Sequence, residues 1–178
     1  TITDTVGITS SNANFTPPAN AALVAGTQTF SVTLKTAASQ TLTASDITDA
    51  AKIANTSPSL SVISGAFTKL QLLVPGETAA PGTATGKTGT TATLPVDSAF
   101  DVTVRAVDAN WNPVNGITDV IGITSSDAIA ILPANAALVS GAKTLSVTFR
   151  TVGTQTLTAS NITDGTKPAN TSPAITVQ

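Results

Sequence analysis

The stretch VDANWNPV, residues 107–114, gathers the side chains best suited to chemistry: Asp108, Asn110 and Asn112 at alternate positions, with the single tryptophan, Trp111, among them. Alternating oxygen donors of this kind begin a calcium loop, because hard carboxylate and amide oxygens suit Ca²⁺. The loop glycine that completes such a loop is not at the required spacing, where Pro113 stands, no Glu follows, and the nearest acids downstream are Asp119 and Asp127. The same residues also suit an Asx turn, in which Asp108 accepts backbone N–H groups and Pro113 fixes the exit. The turn is the expectation, with no metal or cofactor assigned and Asp108, Asn110 and Asn112 kept as the calcium candidate. Trp111 offers a ring that stacks on a sugar or packs against a neighbouring domain or subunit, and packing is the expected role.

The remaining inventory is poor in catalytic parts. The chain has no Cys and no His, so thiolate sites, disulfides, Cys nucleophiles and Ser–His–Asp arrangements are excluded. No spaced pair of inward carboxylates suggests glycoside hydrolysis. PGTATGKTG, residues 81–89, has the glycines and lysine of a phosphate loop without its full spacing, preceding strand or following helix, and is expected to be a Thr/Gly-rich surface loop. Catalytic residues: none; the chain is not expected to be an enzyme. Asn14, Asn55, Asn161 and Asn170 head Asn-x-Ser/Thr sequons and are the glycosylation candidates. Lys69 and Asn170 are the candidates for an intramolecular isopeptide bond, which needs a Lys, an Asn and a buried acid together.

Eight Lys and Arg against ten Asp and Glu leave a net charge of −2, with the cations scattered, which argues against a nucleic-acid partner. No apolar run approaches the roughly 18 residues that span a membrane. The start at Thr1 lacks a signal-peptide pattern, so the chain reads as a piece of something longer.

What must position these residues is a β scaffold. The 178 residues are 41% hydrophobic and 10% charged, with abundant Thr and a single Glu, a composition that favours β-branched strand formers over helix formers. Self-comparison sets the organisation. Residues 1–63 align without a gap to residues 116–178, an offset of 115, and 38 of the 63 pairs are identical. Residues 64–115 have no counterpart, so the chain holds one complete repeat, 64–178, preceded by the C-terminal part of another, 1–63, that lacks its first strands.

Period-2 alternation marks the strands. FDVTVRAV (100–107) puts Phe100, Val102, Val104 and Ala106 on one face. KTLSVTFR (143–150) does the same with Leu145, Val147 and Phe149, and its counterpart QTFSVTLK (28–35) with Phe30, Val32 and Leu34. Further strands are expected at 69–74, 119–124, 129–132, 154–160 and 174–177. Turn residues separate them, and about seven short strands make a two-sheet sandwich, with an open barrel as the competitor.

The succession FDVTVRAVDANWNPV, IGITSSD, KTLSVTFRTVGTQTLTAS resembles the bacterial immunoglobulin-like domains that form tandem stalks in invasin- and intimin-type adhesins and other large surface proteins. Those domains have a strand running into Asp-x-x-Gly-Asn-Pro, and Trp111 stands here where that glycine is usual. The resemblance implies an all-β fold of tandem immunoglobulin-like Greek-key sandwiches, the first incomplete.

A partial sandwich over residues 1–63 exposes an apolar face, which is covered either by a preceding part of a longer array or by strands donated from another subunit. The joint VISGAF is short, placing Val62 and Phe67, with Trp111, among the expected interdomain or intersubunit contacts. The function expected is structural: a rod, stalk or surface fibre outside the cell or at a bacterial surface, with neighbouring repeats, identical subunits, or a host or matrix glycan or protein as partners. The alternatives are a filament subunit completed by strand donation and a carbohydrate-binding accessory module of a secreted enzyme.

Overall fold

Residues 2–178 are described by a computed structural model, and every regular element among them is a β-strand. The strands fall into two units, Thr1–Ile63 and Ser64–Gln178. The first contains Thr5–Ser10 (β1), Phe15–Thr16 (β2), Ala21–Ala22 (β3), Thr33–Leu34 (β4), Ser39–Gln40 (β5), Leu42–Asp46 (β6), Asn55–Thr56 (β7) and Leu60–Ser61 (β8). The second contains Lys69–Leu73 (β9), Glu77–Ala79 (β10), Lys87–Gly89 (β11), Ala99–Val107 (β12), Val120–Ser125 (β13), Ala136–Ala137 (β14), Ala142–Thr148 (β15), Gly153–Gln155 (β16), Leu157–Asn161 (β17), Asn170–Thr171 (β18) and Ile175–Val177 (β19).

In the second unit the order β15-β12-β9 forms one sheet and β14-β13-β17-β18 the other, with β16 and β19 paired beside it. From β12 the chain crosses to the second sheet as β13 and β14, returns as β15 beside β12, and crosses again as β17. This Greek-key path makes an all-β, immunoglobulin-like sandwich. The alternation predicted for residues 100–107 holds, with Val102, Val104 and Ala106 at 1% exposure or less. Leu70, Leu72, Leu145, Val147 and Phe149 from the same sheet meet Ile121, Ile123, Leu157, Ala159, Ile175 and Val177 from the other. Removing so many aliphatic side chains from water is the main stabilising term of the unit.

The first unit repeats the second sheet with the same pairing. β1 and β6 pair from Val6↔Asp46 to Ser10↔Leu42, and β13 and β17 from Ile121↔Asn161 to Ser125↔Leu157, every partner displaced by 115. Among the described residues the facing strands β9 and β12 have no counterpart, and this shows in burial. Leu60 is 39% exposed where its counterpart Ile175 is 1% exposed.

Three local expectations differ from the structure. In QTFSVTLK only Thr33–Leu34 joins a ladder, because the strand equivalent to β12, which holds β15 over seven residue pairs, is missing beside it. The segment 129–132 is reduced to one bridge, Ile131↔Thr148. The segment 154–160 breaks at Thr156, so β16 pairs with β19 while β17 pairs with β13. Three elements have no sequence-level expectation behind them: the β10–β11 hairpin and the short strands β14 and β18.

Candidate functional site

The region around VDANWNPV is built where β12 ends. Asp108 follows directly and is only 4% exposed. Its Oδ1 accepts the N–H of Asn110 at 2.8 Å and of Asn112 at 2.9 Å, while Oδ2 accepts the N–H of Gly65 at 2.8 Å and Asn112 Nδ2 at 2.9 Å. Burial works to raise this carboxyl, and the bonds from Asn112, Gly65 and Asn110 outweigh it, holding it below its ordinary 3.8. Both oxygens are thus engaged by N–H donors, which is the Asx-turn arrangement. In the calcium candidate Asp108, Asn110 and Asn112, the carboxylate meets the donors that define the turn, and three of those four N–H groups belong to the asparagines themselves.

The bond to Gly65 ties this turn to the start of the unit. On the other side of the joint, Val62 donates its N–H to Ala38 at 3.0 Å within the first unit. Val62 is half-buried there, and Phe67 packs half-buried on the core of the second unit with Lys167 Nζ 5.3 Å from its ring centre. Replacing Asp108 by Ala leaves buried N–H groups without acceptors and should cost about 2–4 kcal/mol in urea unfolding. The pH dependence has a fixed sign. An unfolded chain titrates Asp108 and Asp127 near 3.8, the folded one lower, so their contribution is complete above that value and is lost as the pH falls below it. An Asp108→Asn variant should therefore show a shallower fall of stability below pH 3.8.

Trp111 adopts φ +67°, in the left-handed region that a bulky side chain rarely enters. A glycine would accept this backbone without that strain. The tryptophan is held by its own unit. Nε1 donates to the Ala84 carbonyl at 3.1 Å, Lys69 Nζ lies 3.5 Å from the ring centre, and the ring abuts Gly86 so closely that a Cβ there would sit 2.2 Å from Cδ2. Within its own unit the ring thus seats on the turn of the β10–β11 hairpin. Burial lowers the Lys69 ammonium below its ordinary 10.5, partly opposed by Asp108.

That hairpin covers the outer face of β9, so Gln71 and Leu73 are buried along with Leu70 and Leu72 on the core side. Gln71 Nε2 donates to the Gly86 carbonyl at 2.8 Å, and its Oε1 is buried without a partner. Glu77, the only Glu, meets Lys87 at 2.8 Å, and Lys87 also donates to the Leu72 carbonyl at 3.3 Å. The lysine of PGTATGKTG is thus a strand residue paired with an acid, so the expectation of a surface loop over 81–89 is corrected for its last three residues. Sequence reasoning missed this pair. Its signal was a lone Glu ten residues before a Lys across a Gly-rich turn.

The other candidates are placed as follows. Lys69 and Asn170 do not face each other for an isopeptide bond: the Lys69 ammonium donates to the Ala109 carbonyl at 3.0 Å, and Asn170 Oδ1 accepts the Leu72 N–H at 2.9 Å. Asn161 is buried and donates to Asp119 at 2.7 Å, so its amide is not free to carry a glycan. Asn14 and Asn170 are half-buried and Asn55 is exposed.

No protein-family model matches the chain, and no curated protein matches it. Among solved structures it is similar to part of a β-glycosidase from Bacteroides vulgatus, at 11% identity and a TM-score of 0.46 over 98% of this chain and 21% of that one. It is similar to part of a glycosyl hydrolase family 2 member from Bacteroides cellulosilyticus, at 12% identity and a TM-score of 0.47, covering 99% and 22%. The S-layer protein rSbsC is matched at 12% identity and a TM-score of 0.41, covering 97% and 20%. The chain therefore spans about a fifth of the length of each of these proteins.

Proposed function

We propose that this chain is part of a tandem array of immunoglobulin-like repeats that forms a rod, stalk or fibre outside a bacterial cell, and that its work is mechanical rather than catalytic. The observation that carries this reading is the repetition of one strand register at an offset of 115 residues, with two residues, Ile63 and Ser64, between points anchored in the first and second units. A stalk needs such a repeat and a short joint, because freedom between domains grows with the number of unanchored residues. Its partners are neighbouring repeats. The resemblance to adhesin stalks adds a host or matrix ligand at some other part of the same protein.

The carbohydrate-binding alternative rests on Trp111, and this ring is flanked by Lys69 and Gly86 of its own unit. To test the reading, one or two further copies of the 64–178 sequence are added after Gln178 and the maximum dimension is measured by small-angle X-ray scattering. A constant increment per added copy is expected. Compact particles that bind on a glycan array would sink the stalk reading.

A further inference from the structure

The complete unit shows what the first unit is missing, residue by residue. In it, Ile123, Leu145, Val147, Leu157 and Ala159 are closed over by Leu70, Leu72, Val102 and Val104 of β9 and β12. Their counterparts 115 residues earlier are Ile8, Phe30, Val32, Leu42 and Ala44. These line an open apolar groove of about 260 Å³ together with Asn55 and Ser57. Apolar side chains lining an open groove are an interaction surface in search of a cover.

Two further observations say which cover fits. The backbone of β15 is matched to β12 through Phe100↔Val147, Asp101↔Ser146, Val102↔Leu145, Thr103↔Thr144 and Val104↔Lys143. The corresponding residues 28–32 make no backbone–backbone hydrogen bond among the described residues, so they present a free strand edge. In addition, Asn170 Oδ1 fixes β9 by accepting the Leu72 N–H. Asn55 occupies the same place in the first unit, lines the groove, and has no side-chain partner among the described residues.

We propose that residues 1–63 form an acceptor for a two-stranded segment of the type built by Lys69–Leu73 and Ala99–Val107, supplied by this same protein, either from the same chain or from another copy. The strand of the Ala99–Val107 type adds antiparallel to residues 28–32, sending its alternate valines into the groove. The strand of the Lys69–Leu73 type lies beside it, places a leucine on Leu42 and Ala44, and donates the N–H of that leucine to Asn55. The groove carries no charged side chain, so recognition comes from backbone pairing and side-chain alternation. This inference rests on the tandem-repeat reading and names the partner that such a reading requires.

The test uses the intact 178-residue chain with two probes: a labelled polypeptide with the sequence of residues 64–115 added in solution, and the same sequence grafted ahead of Thr1. Alternate amides within residues 28–32 should become protected in hydrogen exchange in either format. Asn55→Ala should weaken binding of the added polypeptide about fivefold through the lost hydrogen bond. Val32→Asp should weaken it more than tenfold by placing a charge in the apolar groove. A scrambled polypeptide of the same composition should give no protection. The proposal is overturned if residues 28–32 stay unprotected in both formats, or if the scrambled sequence protects them equally. Protection together with a failure of added repeats to lengthen the particle would keep the acceptor and remove the stalk.

Discussion

Replacing Phe149 by Ala should remove about 3–5 kcal/mol from the stability of the second unit, the largest loss expected from a single truncation in this chain. Its side chain is fully buried and packs on Phe100 with ring centres 5.1 Å apart, so the substitution empties a site walled by both sheets. Close-packed cores relax only partly around such a cavity, which adds to the lost transfer energy. The counterpart Leu34 is half-buried, and its truncation should cost about 1 kcal/mol or less, since exposed apolar atoms lose little on removal. The lone Trp111 lies in the second unit, so its fluorescence in a urea titration follows that unit alone. A Phe149→Ala midpoint within error of the parent would show that the two sheets are not packed as described.

The second large effect is expected at Gly86. Its φ of +75° already disfavours any side chain, and a Cβ there would lie 2.2 Å from Trp111 Cγ and Cδ2. Gly86→Ala should therefore cost about 2–3 kcal/mol by driving the ring off the hairpin. Trp111→Gly should be milder than Trp111→Ala, because glycine accepts the left-handed backbone that both variants must otherwise keep. The decisive measurement is a double-mutant cycle: with Trp111 already reduced to Gly, the penalty of Gly86→Ala should fall by at least about 1 kcal/mol. Additive losses would mean that Gly86 is needed for its backbone alone.

The residues explain which parts of this architecture were readable beforehand. The repeat offset, the long strand β12, the inward set Leu145, Val147 and Phe149, and the turn at Asp108 follow from spacing, because a half-buried strand forces period-2 alternation and an Asx turn needs only local donors. QTFSVTLK carries the same alternation and still forms only a two-residue strand. Alternation selects a face; a ladder also needs a partner, and that partner lies outside the pattern. The β10–β11 hairpin was hidden for a different reason. Its strands are three residues each and rich in Thr and Gly, too short for a period to show, and it is held by the Glu77–Lys87 pair and by its seat on β9. Trp111 was legible as unusual. Its seat on Gly86 is a contact across 25 positions that only the fold brings together.

One further pairing concerns force. Leu94 bridges Val177 in parallel: Leu94 donates to the Thr176 carbonyl at 2.9 Å, Gln178 to Leu94 at 3.0 Å, and Val96 to Gln178 at 2.8 Å. Because the two strands run the same way, tension applied toward the N-terminus on one and toward the C-terminus on the other slides them along each other. All three bonds are then strained at once, where a hairpin pulled open at its end would lose them singly. The last strand of the repeat is thereby fastened as a shear joint, the geometry in which a few hydrogen bonds resist stretching best.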